Sequence, residues 1–232
     1  MDGQIGMVRE AFTNWAKKRG NAHIFCYLSD HGDQVGEHRM FGKQTFFEKS
    51  SKIPMIFEGS DIQRGKKVVS PTSIMDLGPT LCSLAGVPFD IDPDGKDVSG
   101  VLLGREEADP DRMAVSEFME GNAKAGFRFA RMLRMHQWKL ISYHGFEDQD
   151  LLFDLSQDPK ETCNVIRKYP GIAAQFRKAA GSMTDPKEQE QIARGRAQMQ
   201  RWKTAWEKET GIPDEERWKD NPPWARDYPK VR

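Results

Sequence analysis

The sequence has few cysteines, no excess of charge of either sign and no long apolar run. Its 232 residues include 3 cysteines, which do not form the pattern of a disulfide framework and weakly favour a reducing compartment. The 35 basic and 35 acidic side chains balance, so the composition gives no electrostatic reason to expect binding of nucleic acid or of an anionic membrane. No apolar run approaches the roughly 20 residues that span a bilayer, so we expect no transmembrane segment.

Residues 23–28 are mostly apolar without strict alternation, which predicts a strand covered on both faces, as in the parallel sheet of an α/β protein. The apolar run ends at Ser29, and Asp30, His31 and Gly32 follow. Ligand sites in open α/β sheets lie just beyond the carboxyl ends of the strands. Because Gly32 permits backbone angles that other residues avoid, the chain can bring the two preceding side chains to one side.

A carboxylate beside an imidazole suits a divalent cation such as Mn²⁺, Zn²⁺ or, with more oxygen ligands, Ca²⁺. Asp30 and His31 alone do not make a site, since the same pair is also typical of an Asx-type turn beside a surface histidine. Lys43, twelve residues after His31, is by itself better explained as a solvated loop lysine than as a binding residue. The residues alone leave both interpretations open.

The segment around these residues resembles a known family over a long, ordered stretch. Residues 29–38 read SDHGDQVGEH, residues 42–45 read GKQT, and Glu48 and the run IPMIF at 53–57 follow. This order is similar to the second half of the sulfatase catalytic domain, in the alkaline-phosphatase-like superfamily. The similarity is to the branch that carries Asp-His where arylsulfatases carry Asp-Asn, near choline sulfatases, iduronate-type sulfatases and phosphonate monoester hydrolases.

The resemblance implies that Asp30 and His31 are metal ligands and that Lys43 contacts a sulfate or phosphate oxyanion. It implies a divalent metal ion, Ca²⁺ or Mn²⁺, as cofactor and a small anionic sulfate or phosphate ester as substrate. A cation on one side and an ammonium on the other would stabilise the charge that develops on the ester oxygens. The implied fold is α/β, a partial alkaline-phosphatase-like α/β/α sandwich followed by a small antiparallel sheet with a packed helix.

The sequence departs from the family in its nucleophile. In the family this is a cysteine in a Cys-x-Pro/Ala-x-Arg motif, oxidised to formylglycine, and none of Cys26, Cys82 and Cys163 lies in such a motif. The two acidic metal ligands that the family carries near its N-terminus also have no counterpart here. We therefore expect a sulfatase-like hydrolase in the form of an N-terminally truncated fragment, inactive alone. The alternatives are a phosphonate or phosphodiester monoester hydrolase of the same superfamily, or a non-catalytic module that binds an anion or a protein.

The patterning predicts three parts of the chain. These are the C-terminal part of the catalytic α/β domain at residues 1–104, a small α+β subdomain at 111–181 and a helical and extended tail at 182–232. We expect helices at 2–19, from Ser73 to Gly86 with a kink or division at Pro79, at 170–180 and from 186 to near 211, and strands at 23–28, 52–57, 112–118, 127–133, 137–143 and 151–155. The helix after Ser73 should pack Ile74, Leu77, Leu81 and Leu84 into the core.

The tail after Ile212 contains Trp218, Trp224 and several prolines among charges of both signs. We expect it to be extended and docked through its aromatic side chains onto another subunit, which would give a homo-oligomer. Other polar residues are more typical of structure than of function: Glu48 matches a family position without a known role, and His38, Arg39, His136 and His144 fit loop or surface positions.

Overall fold

The structure is a computed structural model that describes residues 2–122 and 126–211. Its helices and strands, in chain order, are α1 Asp2–Lys18, β1 Ile24–Leu28, α2 Glu48–Ser51, β2 Met55–Gly59, α3 Leu77–Ala85, α4 Ser99–Leu102, β3 Ala114–Asn122, β4 Gly126–Met135, β5 Trp138–Tyr143, β6 Leu151–Asp154, α5 Pro170–Gly181 and α6 Pro186–Thr210. Short 3₁₀ turns occupy Glu37–Arg39, Ile74–Asp76 and Glu147–Gln149.

The described residues group into two compact units. One contains residues 2–118 and 130–182, and the other contains 119–122, 126–129 and 183–211. This grouping does not test the three-part division expected from the sequence, which stays a prediction. The mixture of helices and sheets agrees with the predicted α/β class.

β1 forms where the sequence predicts a strand, but its pairing differs from the expectation. It pairs antiparallel with β2, in a register that runs from Ile24 opposite Gly59 to Leu28 opposite Met55. All five β1 residues are half-buried, so both faces of the strand are covered in part. The expected parallel pairing is wrong for the described residues, in which β1 pairs antiparallel. An apolar run indicates that a strand is buried, but it does not indicate whether the strand pairs parallel or antiparallel with its neighbour. β2 begins at Met55, later than predicted, because Pro54 has no N–H to donate to a ladder.

The helix predicted after Ser73 forms in two pieces, a 3₁₀ turn and then α3, which ends at Gly86 in the left-handed conformation. The pieces meet between Asp76 and Leu77 and not at Pro79, which lies in the first turn of α3, where a missing N–H costs no helical hydrogen bond. Its start is a capping box, in which Ser73 Oγ accepts from Met75 N and Asp76 Oδ2 accepts from Ser73 N over 2.7 Å. The predicted core stripe is wrong in part. Ile74 and Leu81 are 42% and 37% exposed, because the helix instead turns Asp76, Pro79 and Thr80 inward.

The four later strands form an antiparallel sheet in the order β3-β4-β5-β6, as predicted. On one face, buried leucines pack against α5, which forms as predicted. The members of this cluster are Leu133, Leu140, Leu152, Ala173 and Phe176. On the other face, Met132, Ile141 and Phe153 pack against Phe46 and Phe47, which precede α2. The sheet is therefore covered on both faces.

α6 begins after Asp185, whose side chain accepts from Lys187 N, and ends at Gly211, as predicted. Its apolar side chains Ile192, Met199, Trp202 and Trp206 are exposed. The predicted extended tail, with Trp218 and Trp224, lies outside the described residues. Within the described ranges, no helix is both long and apolar enough to cross a membrane.

Candidate functional site

The segment after β1 folds into a tight turn that presents two side chains. Ser29 Oγ donates to His31 O over 2.6 Å, and His31 N donates to Asp30 Oδ1 over 2.9 Å. Such side-chain to backbone bonds satisfy polar groups that a continuing strand would pair with its neighbour. The turn therefore holds Asp30 and His31 at the point where β1 ends.

The two ring nitrogens of His31 have different hydrogen-bond partners. Its Nδ1 lies 2.8 Å from the carbonyl oxygen of Gly32. A carbonyl can only accept, so Nδ1 carries the proton and Nε2 presents a lone pair. Lys43 Nζ lies 2.7 Å from Nε2 and donates to it, and Asp30 Oδ2 lies 3.4 Å from the same nitrogen. The structure thus brings all three sequence-predicted side chains to one atom.

Gly32 is required where this turn meets α2. A Cβ at position 32 would lie 1.9 Å from the carbonyl oxygen of Lys49, which is backbone and has no freedom to rotate away. The same close approach lets Gly32 N donate to Ser50 O over 2.8 Å. The glycine therefore serves a close backbone contact as well as the turn itself.

The loop between the turn and α2 folds on itself and returns Lys43 to His31. Asp33 Oδ1 accepts from Val35 N at 2.9 Å and from Gly42 N at 3.2 Å. Gln34 N donates to Gly42 O over 2.8 Å, and the Gln34 side chain is completely buried. These bonds close the loop, so Lys43, twelve positions after His31 in the sequence, lies beside it in space.

Charge around the turn keeps Asp30 ionised. The hydrogen bond from His31 N, with the neighbouring charge of Lys43, lowers the pKa of the Asp30 carboxyl below its ordinary value. The Asp30 carboxylate is largely exposed, whereas the His31 ring is more than half covered. The arrangement presents an anion, a nitrogen lone pair and an ammonium together at an open surface.

Asp30 and His31 fit part of a metal site. Asp30 Oδ2 and His31 Nε2 lie 3.4 Å apart, and a carboxylate with an imidazole nitrogen suits several divalent ions. No group of three or more His, Cys, Asp or Glu residues that could hold an ion occurs in the part of the chain that the structure describes. Further ligands would have to come from water, substrate or other residues. The metal-ligand roles of Asp30 and His31 and the anion contact of Lys43 stay predictions.

The other histidines named from the sequence have contacts away from His31. The His38 ring stacks on Phe47 with centroids 3.9 Å apart, and His136 Nε2 lies 3.1 Å from Asp111 Oδ1. A more important group was missed by sequence reasoning. Lys139 in β5 is fully buried and contacts Glu48 and Glu161. The available signal was a lysine on the same face of an apolar strand as Ile141.

Comparison with known proteins decides the family. A family model described as N-sulphoglucosamine sulphohydrolase, C-terminal, matches residues 36–192. The chain belongs to the sulfatase family. This confirms the resemblance drawn from the sequence, which placed the chain in the C-terminal half of that family. Sulfatases generally use a divalent metal and a formylglycine.

Arylsulfatase K is a similar relative in several vertebrates. The protein from Danio rerio is 33% identical over 189 residues, which cover 79% of this chain and 35% of that protein. The protein from Homo sapiens is 35% identical over 158 residues, which cover 64% of this chain and 28% of that protein. The sulfatase chain thus spans about a third of the length of the curated relatives it matches.

Solved structures confirm the fold class. The phosphonate monoester hydrolase of Agrobacterium radiobacter matches with a TM-score of 0.63 at 26% identity, over 78% of this chain and 38% of that one. A 2-O GAG sulfatase matches with a TM-score of 0.59 at 30% identity, over 68% of this chain and 35% of that one. The chain therefore has part of the alkaline-phosphatase-like sulfatase fold.

Proposed function

We propose that this chain supplies one side of a sulfatase active site, in which Asp30 and His31 hold a divalent cation and Lys43 holds the oxyanion of a sulfate ester. The observation that carries the proposal is the convergence of Asp30 Oδ2 and Lys43 Nζ on His31 Nε2, at 3.4 and 2.7 Å. The reaction class is hydrolysis of a sulfuric ester. Family membership supports this class.

Each residue has a defined part in the proposed chemistry. The Asp30 carboxylate provides negative charge toward the cation, and His31 offers its Nε2 lone pair because Gly32 O holds the proton on Nδ1. The Lys43 ammonium exchanges its bond to Nε2 for a bond to an oxyanion oxygen, where it stabilises developing charge. When bound, a divalent cation would act as a Lewis acid on the same oxyanion. We favour Mn²⁺ over Ca²⁺, since Ca²⁺ prefers oxygen ligands alone.

We expect the nucleophile of the proposed reaction to come from residues other than those of this sequence. None of its 3 cysteines lies in the Cys-x-Pro/Ala-x-Arg motif. We therefore expect the 232-residue chain to bind cation and anion but not to hydrolyse sulfate esters when assayed alone. Ester hydrolysis by the purified chain would contradict this expectation.

A second candidate substrate class is a phosphonate monoester or a phosphodiester. The similarity to the phosphonate monoester hydrolase of Agrobacterium radiobacter, with a TM-score of 0.63, favours it. The same cation and ammonium would hold a phosphoryl anion. Inorganic sulfate and phosphate, titrated against the Mn²⁺-loaded chain, would rank the two classes.

The proposal is tested by titrating the chain with Mn²⁺ and measuring free Mn²⁺ by electron paramagnetic resonance. We expect Asp30→Ala and His31→Ala each to weaken binding at least about tenfold, since each removes one ligand. Asp92→Ala, in an exposed acidic loop, is the matched control and should bind as the unmodified chain does. Equal binding by all four proteins would remove Asp30 and His31 from the metal site.

A further inference from the structure

Lys139 carries a charge in the interior of the protein. Its side chain is 0% exposed, and its Nζ lies 2.8 Å from Glu161 Oε1, 3.0 Å from Glu48 Oε1 and 3.3 Å from Ser51 Oγ. A buried ammonium is costly unless it is paired and hydrogen-bonded, and here two carboxylates and a hydroxyl surround it. Apolar residues of similar volume would stabilise the fold equally well or better. A role in positioning accounts for a charged group here.

The partners of Lys139 are also joined to each other. Glu48 N donates to Glu161 Oε2 over 2.6 Å, so one carboxylate holds both the lysine and the first residue of α2. Glu161 has a positive φ of 56°, a conformation that non-glycine residues adopt rarely and only when the surroundings hold it. Arg134, opposite Lys139 in β4, adds a second cation: burial lowers its pKa, while the charges of Glu48 and Glu161 act in the opposite direction.

The buried cluster reaches the candidate site through α2. Glu48 and Ser51, which contact Lys139, are the ends of this helix. Between them, Ser50 O accepts from Gly32 N at 2.8 Å, and Lys49 O occupies the space beside the Gly32 α-carbon. Gly32 O in turn accepts from His31 Nδ1. Each contact in this series fixes a backbone group or a ring nitrogen, with no flexible side-chain end between α2 and the imidazole.

We propose that Lys139 is a positioning residue for the Asp30–His31 site. It fixes α2 on the sheet, α2 fixes the backbone of Gly32, and Gly32 fixes the orientation and tautomer of the His31 ring. The consequence for metal binding rests on the proposed function, whereas the effect on Gly32 and His31 does not. Metal affinity should therefore depend on a residue that does not touch the metal.

The test is Lys139→Met in the full chain, with two readouts by nuclear magnetic resonance that need no metal. These are hydrogen exchange of the Gly32 amide and the ¹⁵N shifts of the His31 ring. We expect Gly32 exchange to become at least about tenfold faster, and the Nδ1 and Nε2 shifts to move toward those of mixed tautomers.

Leu140→Ala is the matched control, because Leu140 neighbours Lys139 in β5 but packs on the opposite face, against α5. It should destabilise the sheet without moving the His31 shifts. Should Lys139→Met fail to fold, the triple variant Glu48→Gln, Lys139→Met, Glu161→Gln removes the lysine together with the two carboxylates that it contacts, and the same changes at Gly32 and His31 are expected. The proposal is overturned if the folded variant resembles Leu140→Ala at Gly32 and His31.

Mn²⁺ titration of the same variants separates this proposal from the proposed function. We expect about tenfold weaker Mn²⁺ binding in the Lys139 variant and unchanged binding in Leu140→Ala. Absence of Mn²⁺ binding by the unmodified chain would contradict the proposed function, while the Gly32 and His31 readouts would still decide the role of Lys139.

Discussion

His31 Nε2 is the atom on which the residues of the candidate site converge. Nε2 carries the lone pair because the proton lies on Nδ1, which donates to Gly32 O. The Lys43 ammonium donates a hydrogen bond to this lone pair. A cation bound to Nε2 and the ammonium cannot use the same lone pair. Metal ion and lysine therefore compete at this nitrogen.

This competition gives a prediction for Lys43→Met. The variant should bind Mn²⁺ at least as tightly as the unmodified chain, because nothing then donates to Nε2 in place of Lys43, but it should lose binding of inorganic sulfate. Isothermal titration with each ion measures both effects. If Lys43→Met weakens Mn²⁺ binding as much as His31→Ala does, the interpretation of Lys43 as an anion-binding residue is wrong.

The cysteines differ in environment in a way that chemistry can detect. Burial raises the pKa of the Cys26 thiol, so less thiolate is present at a given pH, whereas Cys163 is exposed. At pH 8 we expect iodoacetamide to modify Cys163 well before Cys26, and both to react in urea. Mass spectrometry of the alkylated peptides follows the order, and equal rates in the native protein would contradict the partial burial of Cys26.

Single residues of the site were predictable from the sequence to different degrees. Asp30, His31 and Lys43 were identified because an ordered local motif contains all three. Lys139 was not, since its partners Glu48 and Glu161 lie in other segments and only the tertiary structure brings them together. When the partners of a buried charged residue are distant in the sequence, the neighbouring residues do not reveal them. Its position in an apolar strand is then the one available indication.

At the scale of elements, the start of α3 combines a cap with a buried ion pair. Asp76 accepts from Ser73 N and Lys96 N, and its carboxylate lies 2.6 Å from Arg112 Nη2, with both side chains largely buried. The sequence did not predict this ion pair, because Arg112 lies far from Asp76 along the chain.

Two substitutions at the start of α3 should lower the free energy of unfolding by different amounts. Ser73→Ala removes one capping bond and should cost about 1 kcal/mol of unfolding free energy. Asp76→Ala leaves Arg112 buried without its carboxylate and should cost about 3–5 kcal/mol. Urea denaturation measures both. Equal costs would show that the ion pair contributes nothing beyond the cap.

The contact between the turn after β1 and α2 predicts that Gly32→Ala is not tolerated. The added Cβ would lie 1.9 Å from Lys49 O, so α2 must move, and we expect a loss of about 1–3 kcal/mol together with weaker Mn²⁺ binding. Gly171→Ala in α5 is the matched control, because its Cβ would meet nothing within 4 Å. It should be neutral or stabilising. Thermal unfolding compares the two, and an equally stable Gly32→Ala protein would contradict the close approach.

Elements were predicted well in position and less well in pairing. The spacing of apolar residues located α1, α5, α6 and the four strands of the later sheet, because that spacing follows directly from helix and strand geometry. The antiparallel pairing of β1 with β2 was not predicted, since the same residues suit either direction. The packing of Phe46 and Phe47 on the sheet was also missed, because it joins distant segments.

At the scale of the whole molecule, apolar side chains remain exposed on two helices. On α1 they include Met7 and Val8, and on α6 they include Met199, Trp202 and Trp206. β1 also has a strand partner on one edge only within the described residues. Exposed apolar surface and free strand edges favour association.

We therefore predict that the chain self-associates, and that α6 carries the contact. Trp202→Glu should shift the chain toward monomer because it places a charge in the exposed apolar side of α6. Val8→Glu, which makes the same change on α1, is the control and should leave the assembly intact. Light scattering after size exclusion gives the mass of each protein. A monomeric unmodified chain would contradict the prediction.

The most direct measurement of the proposed site is a crystal structure of the chain grown with Mn²⁺ and sulfate, with data collected at the manganese absorption edge. The predicted result is an anomalous peak bonded to His31 Nε2 and Asp30 Oδ2, with a sulfate oxygen on Lys43 Nζ in place of the lysine–histidine bond. A manganese peak away from these residues, or an unchanged Lys43–His31 bond beside a bound sulfate elsewhere, would contradict the proposed site.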